Sequence, residues 1–165
     1  MIAYVILAIV AAQRLAELWY AQRNTRALFA QGAMEIGRKH YPLFVLLHMA
    51  WLLAIVFALS RPAPIHAVPL AAYLVLEGLR VWTMLALGPY WTTRIITLPN
   101  APLVRRGPYR FARHPNYIVV TGEIALLPLV FGELWVAVVF SFLNGALLCW
   151  RIREEQSALA PRLSL

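Results

Sequence analysis

Apolar residues fall into five long runs set apart by short polar segments: 2 to about 20, 43–59, 67–88, 117–131 and 134–150. A helix rises about 1.5 Å per residue and a bilayer core is about 30 Å thick, so some 20 apolar residues cross it. The first three runs are long enough. The last two are shorter, are parted only by Gly132 and Glu133, and carry Pro128 near the first one's end, which predicts a helical hairpin. A 15-residue helix covers roughly 23 Å, so this hairpin reaches the far interface by tilting or snorkelling. There is no repeat and no low-complexity linker. The predicted fold class is all-α integral membrane, a single domain over residues 1–165 with about five transmembrane helices.

Composition agrees with this reading: 62% of residues are hydrophobic and only 13% charged, and the mean hydropathy of +0.68 excludes an ordinary soluble domain. The first run starts at residue 2 without a basic leader and contains Gln13, Arg14 and Glu17, so it is expected to be a retained helix and not a cleaved signal. Cys149 is the single cysteine, which leaves no disulfide and no cysteine-based metal site within one chain, and predicts a lipid-facing or core role. Charge sets the expected orientation. Arg23, Arg26, Arg38 and Lys39 follow the first run; Arg94, Arg105, Arg106, Arg110 and Arg113 follow the third; Arg151, Arg153 and Arg162 follow the fifth. Twelve of the 15 basic residues thus share one side, with Arg61 alone opposite and Arg14 and Arg80 inside runs. The expectation is a bacterial inner-membrane protein with its N-terminus outside and its long loops in the cytoplasm. Topogenic charge and attraction to anionic membrane lipids account for the net charge of +8 without a nucleic-acid partner.

Polar residues inside the runs need partners. Arg14 with Glu17, and Glu77 with Arg80, are spaced i and i+3, which predicts pairing within each helix. Glu123 has no such partner and lies about two turns into the fourth run. An ionised group there costs roughly 2.5–3.5 kcal/mol, which argues for a functional or cross-helix role. Asn144 reads equally as interhelical glue or as pocket lining. His48 reads as a packed histidine, and His40 and His66 as loop residues. No acid and histidine cluster has metal-ligand spacing, so no metal is expected.

The segment "ALGPYWTTRIITLPNAPLVRRGPYRFARHPNY" is aromatic, proline-stiffened and basic at once, a composition suited to holding a shape. Pro115 fits the first turn of the fourth helix and biases His114 toward extended backbone. His114, Asn116 and Tyr117 then cluster where free N–H groups and the helix dipole favour an anionic group. The fifth helix runs out through "CWRIREEQSAL", with Arg151 and Glu155 on one face at i and i+4. The hairpin brings these two motifs to the same interface.

These residues resemble the isoprenylcysteine carboxyl methyltransferase family of integral-membrane enzymes. The family pattern is Gly-x-Tyr, then Arg-His-Pro-x-Tyr, then, after a hairpin, Arg-Ile-x-x-Glu-Glu-x-x-Leu. Here it reads Gly107-Pro108-Tyr109, Arg113-His114-Pro115-Asn116-Tyr117, and Arg151-Ile152-Arg153-Glu154-Glu155 with Leu159. The acidic pair sits one residue early, so Glu155 takes the first glutamate position and Gln156 the second. The resemblance covers about residues 90–160 and implies S-adenosyl-L-methionine as cofactor. It implies cofactor contacts from Ala101, Pro102, Leu103, Val104, Tyr109, His114, Pro115, Asn116, Tyr117 and Glu155, and places Arg151 on the substrate side, with Arg94 near the cofactor. The implied substrate is a lipophilic, membrane-borne small molecule, isoprenylcysteine-like or alkylpyrone- or alkylresorcinol-like, methylated on a carboxylate or hydroxyl oxygen. The donor's amine needs an acid and its carboxylate needs donors, which Glu155 and His114 supply. Arg151 or Arg94 would orient an acceptor carboxylate; His114, Glu123 or Glu155 would serve as base for a hydroxyl. Glu123 and Asn144 complete the candidates on the acceptor side. Two other classes fit less of the chain: a small transporter coupled to protons at Glu17, Glu77 and Glu123, and a sterol-reductase-like enzyme using NADPH.

Overall fold

The computed structural model describes residues 1–38, 41–59, 62–99, 101 and 104–163, with side chains through residue 157. Lys39, His40, Arg61, Pro102 and Leu103 lie outside the described residues. Five helices follow the five apolar runs: α1 (Ile2–Ala30), α2 (Tyr41–Ala58), α3 (Ala67–Leu87), α4 (Pro115–Val130) and α5 (Leu134–Leu163). Large apolar side chains such as Ile9, Leu46, Phe57, Val75, Leu85 and Phe142 are exposed along them, a surface suited to a bilayer. Among the described residues four segments, Ile2–Ala30, Tyr41–Ala58, Ala67–Tyr90 and Leu134–Ser157, are long and apolar enough to cross a membrane. The chain is an all-α integral membrane protein.

The helix ends differ from the apolar runs. α1 continues ten residues beyond Tyr20, because nothing between Ala21 and Ala30 breaks a helix; the chain turns only at Gly32, whose φ of 86° suits glycine. Arg23 and Arg26 therefore lie on α1 and not in a loop. α5 likewise carries Arg151 and Glu155 within one continuous helix.

The polar loops hold a feature that the apolar pattern does not show. Met34–Ile36 (β1) and Ile95–Thr97 (β2) form an antiparallel two-stranded ribbon, with Glu35 opposite Ile96. It ties the α1–α2 connection to the long loop between α3 and α4.

α4 is short but central. Val119, Ile124, Leu127 and Val130 on it are fully buried, and with Trp51, Ile55, Phe131 and Val136 they form the core among α2, α4 and α5. The Trp51 indole donates to the Ile124 carbonyl at 3.2 Å. The hairpin turn closes through Gly132 N–H to Leu129 O, 3.1 Å, and Glu133 N–H to Pro128 O, 3.0 Å. His66 N–H, just ahead of α3, donates to Val130 O at 2.8 Å and satisfies a carbonyl at the end of α4. His48 packs edge-on to Trp51, its Nδ1 2.8 Å from Phe44 O, and Cys149 is exposed.

The intramembrane charges pair across helices more than within them. Arg14 meets Glu17 at 2.8 Å as its spacing predicts, but it also reaches Glu77 and Glu123, each at 3.1 Å. Arg80 pairs with Glu123 and, at 3.1 Å, with Glu17, while no ion pair joins Glu77 to Arg80 among the described residues. Gln13 adds amide donors to Glu17 at 3.0 Å and Glu77 at 2.5 Å. The expected Glu77–Arg80 pair is thus replaced by a network linking α1, α3 and α4. Its reason is geometric: in a bilayer one guanidinium that serves several carboxylates leaves fewer charges unpaired.

Candidate active site

The site begins where α3 ends. Gly88 (φ 54°) opens a 3₁₀ turn over Gly88–Tyr90, and α1 holds that turn from the side. Tyr20 Oη donates to Gly88 O at 3.1 Å, and Asn24 Nδ2 donates to Gly88 O at 3.2 Å and to Trp91 O at 2.9 Å. The loop then enters β2 and its clasp on β1. Arg94 Nη1 bonds the Glu35 carboxylate at 3.1 and 3.3 Å, with its guanidinium 4.8 Å from the Tyr41 ring centre. At the loop's far end Arg106 Nε donates to Ala86 O at 2.9 Å. Gly107 (φ 58°) follows, where a Cβ would come within 2.9 Å of Ala86 Cβ. The loop is fastened at both ends to the last turn of α3.

α4 starts with Pro115 buried in its first turn, as the sequence predicts, but His114 ahead of it is not extended: at φ −131° and ψ 61° it turns back, and its carbonyl accepts from the N–H groups of Tyr117 and Ile118. The His114 and Tyr117 rings stack at 5.2 Å and 14°. Tyr117 Oη donates to Glu155 Oε2 at 2.5 Å and accepts from Arg151 Nε at 2.9 Å; His114 Nδ1 lies 3.4 Å from the same carboxylate oxygen. Arg151 Nη2 reaches back to Thr93 O at 2.9 Å. Its guanidinium sits 5.2 Å from the Phe44 ring centre and 5.7 Å from that of Tyr117, a setting that favours a cation. One charge-assisted chain therefore joins the loop, α4 and α5.

Below the loop lies a cavity of about 680 Å³. Of the predicted residues, the loop contributes Arg94, Ala101, Val104 and Tyr109 to its wall; the start of α4 contributes His114, Asn116 and Tyr117; α5 contributes Arg151 and Glu155. Pro115 shapes the helix start without lining the cavity. Glu123 and Asn144 do not line it either: Glu123 belongs to the ion network, and Asn144 is fully buried in α5 with no hydrogen-bond partner for either side-chain atom among the described residues. Burial, and then the negative charge of Glu155, push the Tyr109 phenol up, so it stays protonated at neutral pH. Arg105, Arg110 and Arg113 also line the cavity, and all three are exposed. Among the described residues no group of three His, Cys, Asp or Glu side chains is placed to hold a metal ion.

Residues 67–161 match the isoprenylcysteine carboxyl methyltransferase (ICMT) family. The chain belongs to this family. As an ICMT-family protein it is a membrane methyltransferase, and the matched stretch runs from the first residue of α3 through the loop, α4 and most of α5, so it contains both motifs of the cavity wall. It is 36% identical to the protein YpbQ of Bacillus subtilis (strain 168), described as uncharacterized, over 160 residues that cover 94% of this chain and 95% of that one. It is 25% identical to an uncharacterized protein of Haemophilus influenzae over 143 residues, 84% of this chain and 83% of the relative. No solved structure matches.

Several residues at this ICMT-family cavity were not legible in the motifs. Leu28 of α1 and Trp91 line it, and Glu35, Tyr41 and Phe44 support Arg94 and Arg151. Only Trp91 carried a signal, as part of the aromatic loop. The other four come from outside the matched stretch.

Proposed function

We propose that this protein uses S-adenosyl-L-methionine to methylate an oxygen of a lipophilic acceptor drawn from the bilayer. The observation that carries this reading is the Arg151–Tyr117–Glu155–His114 cluster on a cavity of about 680 Å³. The residues present fit the cofactor. Glu155 is a fixed carboxylate for an ammonium group, and the Asn116 Oδ1 atom, buried with no hydrogen-bond partner among the described residues, is a second acceptor on the same cavity wall. The His114 imidazole suits a carboxylate; the first turn of α4 adds little, since Pro115 has no N–H and those of Tyr117 and Ile118 are taken by His114 O. Tyr109, Val104 and Ala101 add an aromatic and aliphatic wall.

When bound, S-adenosylmethionine supplies an electrophilic methyl group. Alignment of that methyl with the acceptor oxygen, and exclusion of water, are then what the protein contributes. Arg151, with Nε and Nη2 already committed to Tyr117 and Thr93, is held rigid on the acceptor side and orients an anionic oxygen; Arg94, held by Glu35, assists. β2 and the loop wall the cavity, and β1 braces β2. For a hydroxyl acceptor, His114 is the cavity group suited to take the proton. The basic residues gathered at this end support a cytoplasmic active site with the N-terminus outside in an inner membrane.

Isothermal titration of the detergent-purified protein with S-adenosylhomocysteine tests the reading. Near-stoichiometric micromolar binding is expected. A folded sample that binds neither this product nor S-adenosylmethionine would overturn it.

A further inference from the structure

We infer that the indole N–H of Trp91 is a hydrogen-bond donor to the adenosine part of the cofactor. This rests on the methyl-donor reading above and assigns a contact that neither the motifs nor the family match supplies. Trp91 is 3% exposed and lines the cavity, and its Nε1 is buried with no hydrogen-bond partner among the described residues. An indole N–H can only donate, and buried donors in native proteins nearly always find an acceptor. Trp51, the other deeply buried tryptophan at 1% exposure, obeys this rule through the Ile124 carbonyl. The difference between the two is that Trp91 borders a cavity.

The position of Trp91 is built. Its backbone N–H donates to Gly88 O at 3.0 Å, and its carbonyl accepts from the buried Asn24 Nδ2 at 2.9 Å. α1 and the end of α3 thereby fix the residue that carries the unpaired donor. Its neighbours on the cavity wall are Leu28 from α1 and Leu87 from α3, both aliphatic.

The chemistry selects the adenosine part. The ammonium and carboxylate of the cofactor call for charged or multiply bonded partners, which Glu155, His114 and Asn116 offer. Adenosine is uncharged, has a flat apolar face, and presents ring nitrogens and ribose oxygens as neutral acceptors. A neutral donor on an aromatic ring among leucines is complementary to that surface.

The test compares Trp91→Phe, which keeps an aromatic ring and removes the N–H, with the wild type in full-length, detergent-purified protein. The probes are adenosine and S-adenosylhomocysteine. Both are expected to weaken about three- to tenfold and by the same factor, as loss of one neutral hydrogen bond implies. Glu155→Gln is expected to weaken S-adenosylhomocysteine binding and leave adenosine binding in place. Unchanged adenosine affinity in Trp91→Phe overturns the assignment while the methyl-donor reading stands; a folded wild type that binds neither probe overturns both. An independent readout is the Trp91 indole N–H resonance, one of six, assigned by its absence from Trp91→Phe or Trp91→Tyr. It should move downfield when adenosine is added to the wild type, and an unmoved signal counts against the donor role.

Discussion

The hydroxyl of Tyr117 donates to Glu155 Oε2 at 2.5 Å across the α4–α5 hairpin, and the Tyr117 oxygen itself accepts from Arg151 Nε at 2.9 Å. One phenol thus fixes both the Glu155 carboxylate and the Arg151 guanidinium, the groups that the proposed function assigns to cofactor and acceptor. Hydrogen bonds to charged groups contribute about 1.5–3 kcal/mol each and reinforce one another in a chain. Tyr117→Phe should weaken S-adenosylhomocysteine binding by roughly tenfold with little change in thermal midpoint, because the ring still stacks on His114. Titration calorimetry beside a melting curve checks this. Unaltered affinity would mean that Glu155 needs no support from Tyr117.

Arg151 should separate acceptor use from cofactor binding. Two of its nitrogens are held, by Tyr117 and Thr93, and lysine cannot reproduce that fork. Arg151→Lys is expected to raise the acceptor KM or lower kcat by at least about tenfold, while S-adenosylhomocysteine affinity shifts by less than about threefold. Steady-state kinetics with a lipophilic carboxylate or phenol, alongside titration, distinguishes the two. A loss confined to cofactor affinity would move Arg151 to the other side of the site.

The five helices and the cavity motifs were legible because each has a local signature: apolar length, a proline in the first turn of α4, and Arg151 and Glu155 one turn apart. β1 and β2 were not, since strands of three residues carry no useful periodicity and their partners are about 60 residues apart in sequence. The Glu77–Arg80 spacing suggested a local pair, but spacing cannot show that Glu17 and Glu123 face Arg80 from other helices. Leu28, Glu35 and Phe44 reach the site only through tertiary packing, which no linear motif records.

The ion network should be structural and separable from binding. Arg80→Leu leaves the buried Glu123 without its closest partner, and breaking such a pair costs about 3–5 kcal/mol. The double change Arg80→Leu with Glu123→Leu removes one charge of each sign and should recover much of the loss. Thermal midpoints of the two single variants and the double variant form a cycle that measures the coupling. Additive losses would show that the pair contributes nothing as a pair.

Gly107 fastens the loop to α3 in a backbone conformation that L side chains disfavour, at φ 58°, and with a Cβ position 2.9 Å from Ala86 Cβ and 3.2 Å from Trp82 Nε1. The left-handed conformation alone costs alanine about 1–2 kcal/mol, and the contacts force the loop outward. Gly107→Ala should therefore lower S-adenosylhomocysteine affinity several-fold while leaving the thermal midpoint of the helical core largely in place. Equal binding in this variant would show that the loop tolerates displacement from α3.

Asn144 offers the opposite case, a polar group whose removal should help. It is fully buried in α5, neither its side-chain oxygen nor its nitrogen has a hydrogen-bond partner among the described residues, and it does not line the cavity. A buried amide without partners costs about 1–3 kcal/mol, whereas an apolar side chain of similar volume incurs no such penalty. Its buried neighbours along the helix, Phe140 and Leu148, provide an apolar setting for leucine. Asn144→Leu should raise the thermal midpoint in detergent and leave S-adenosylhomocysteine affinity within about twofold. A raised midpoint with acceptor turnover intact would exclude Asn144 from the reaction. A raised midpoint with lost turnover would show instead that the amide is held unpaired for the acceptor, the stability cost being the consequence of that role. A lowered midpoint would contradict the absence of a partner.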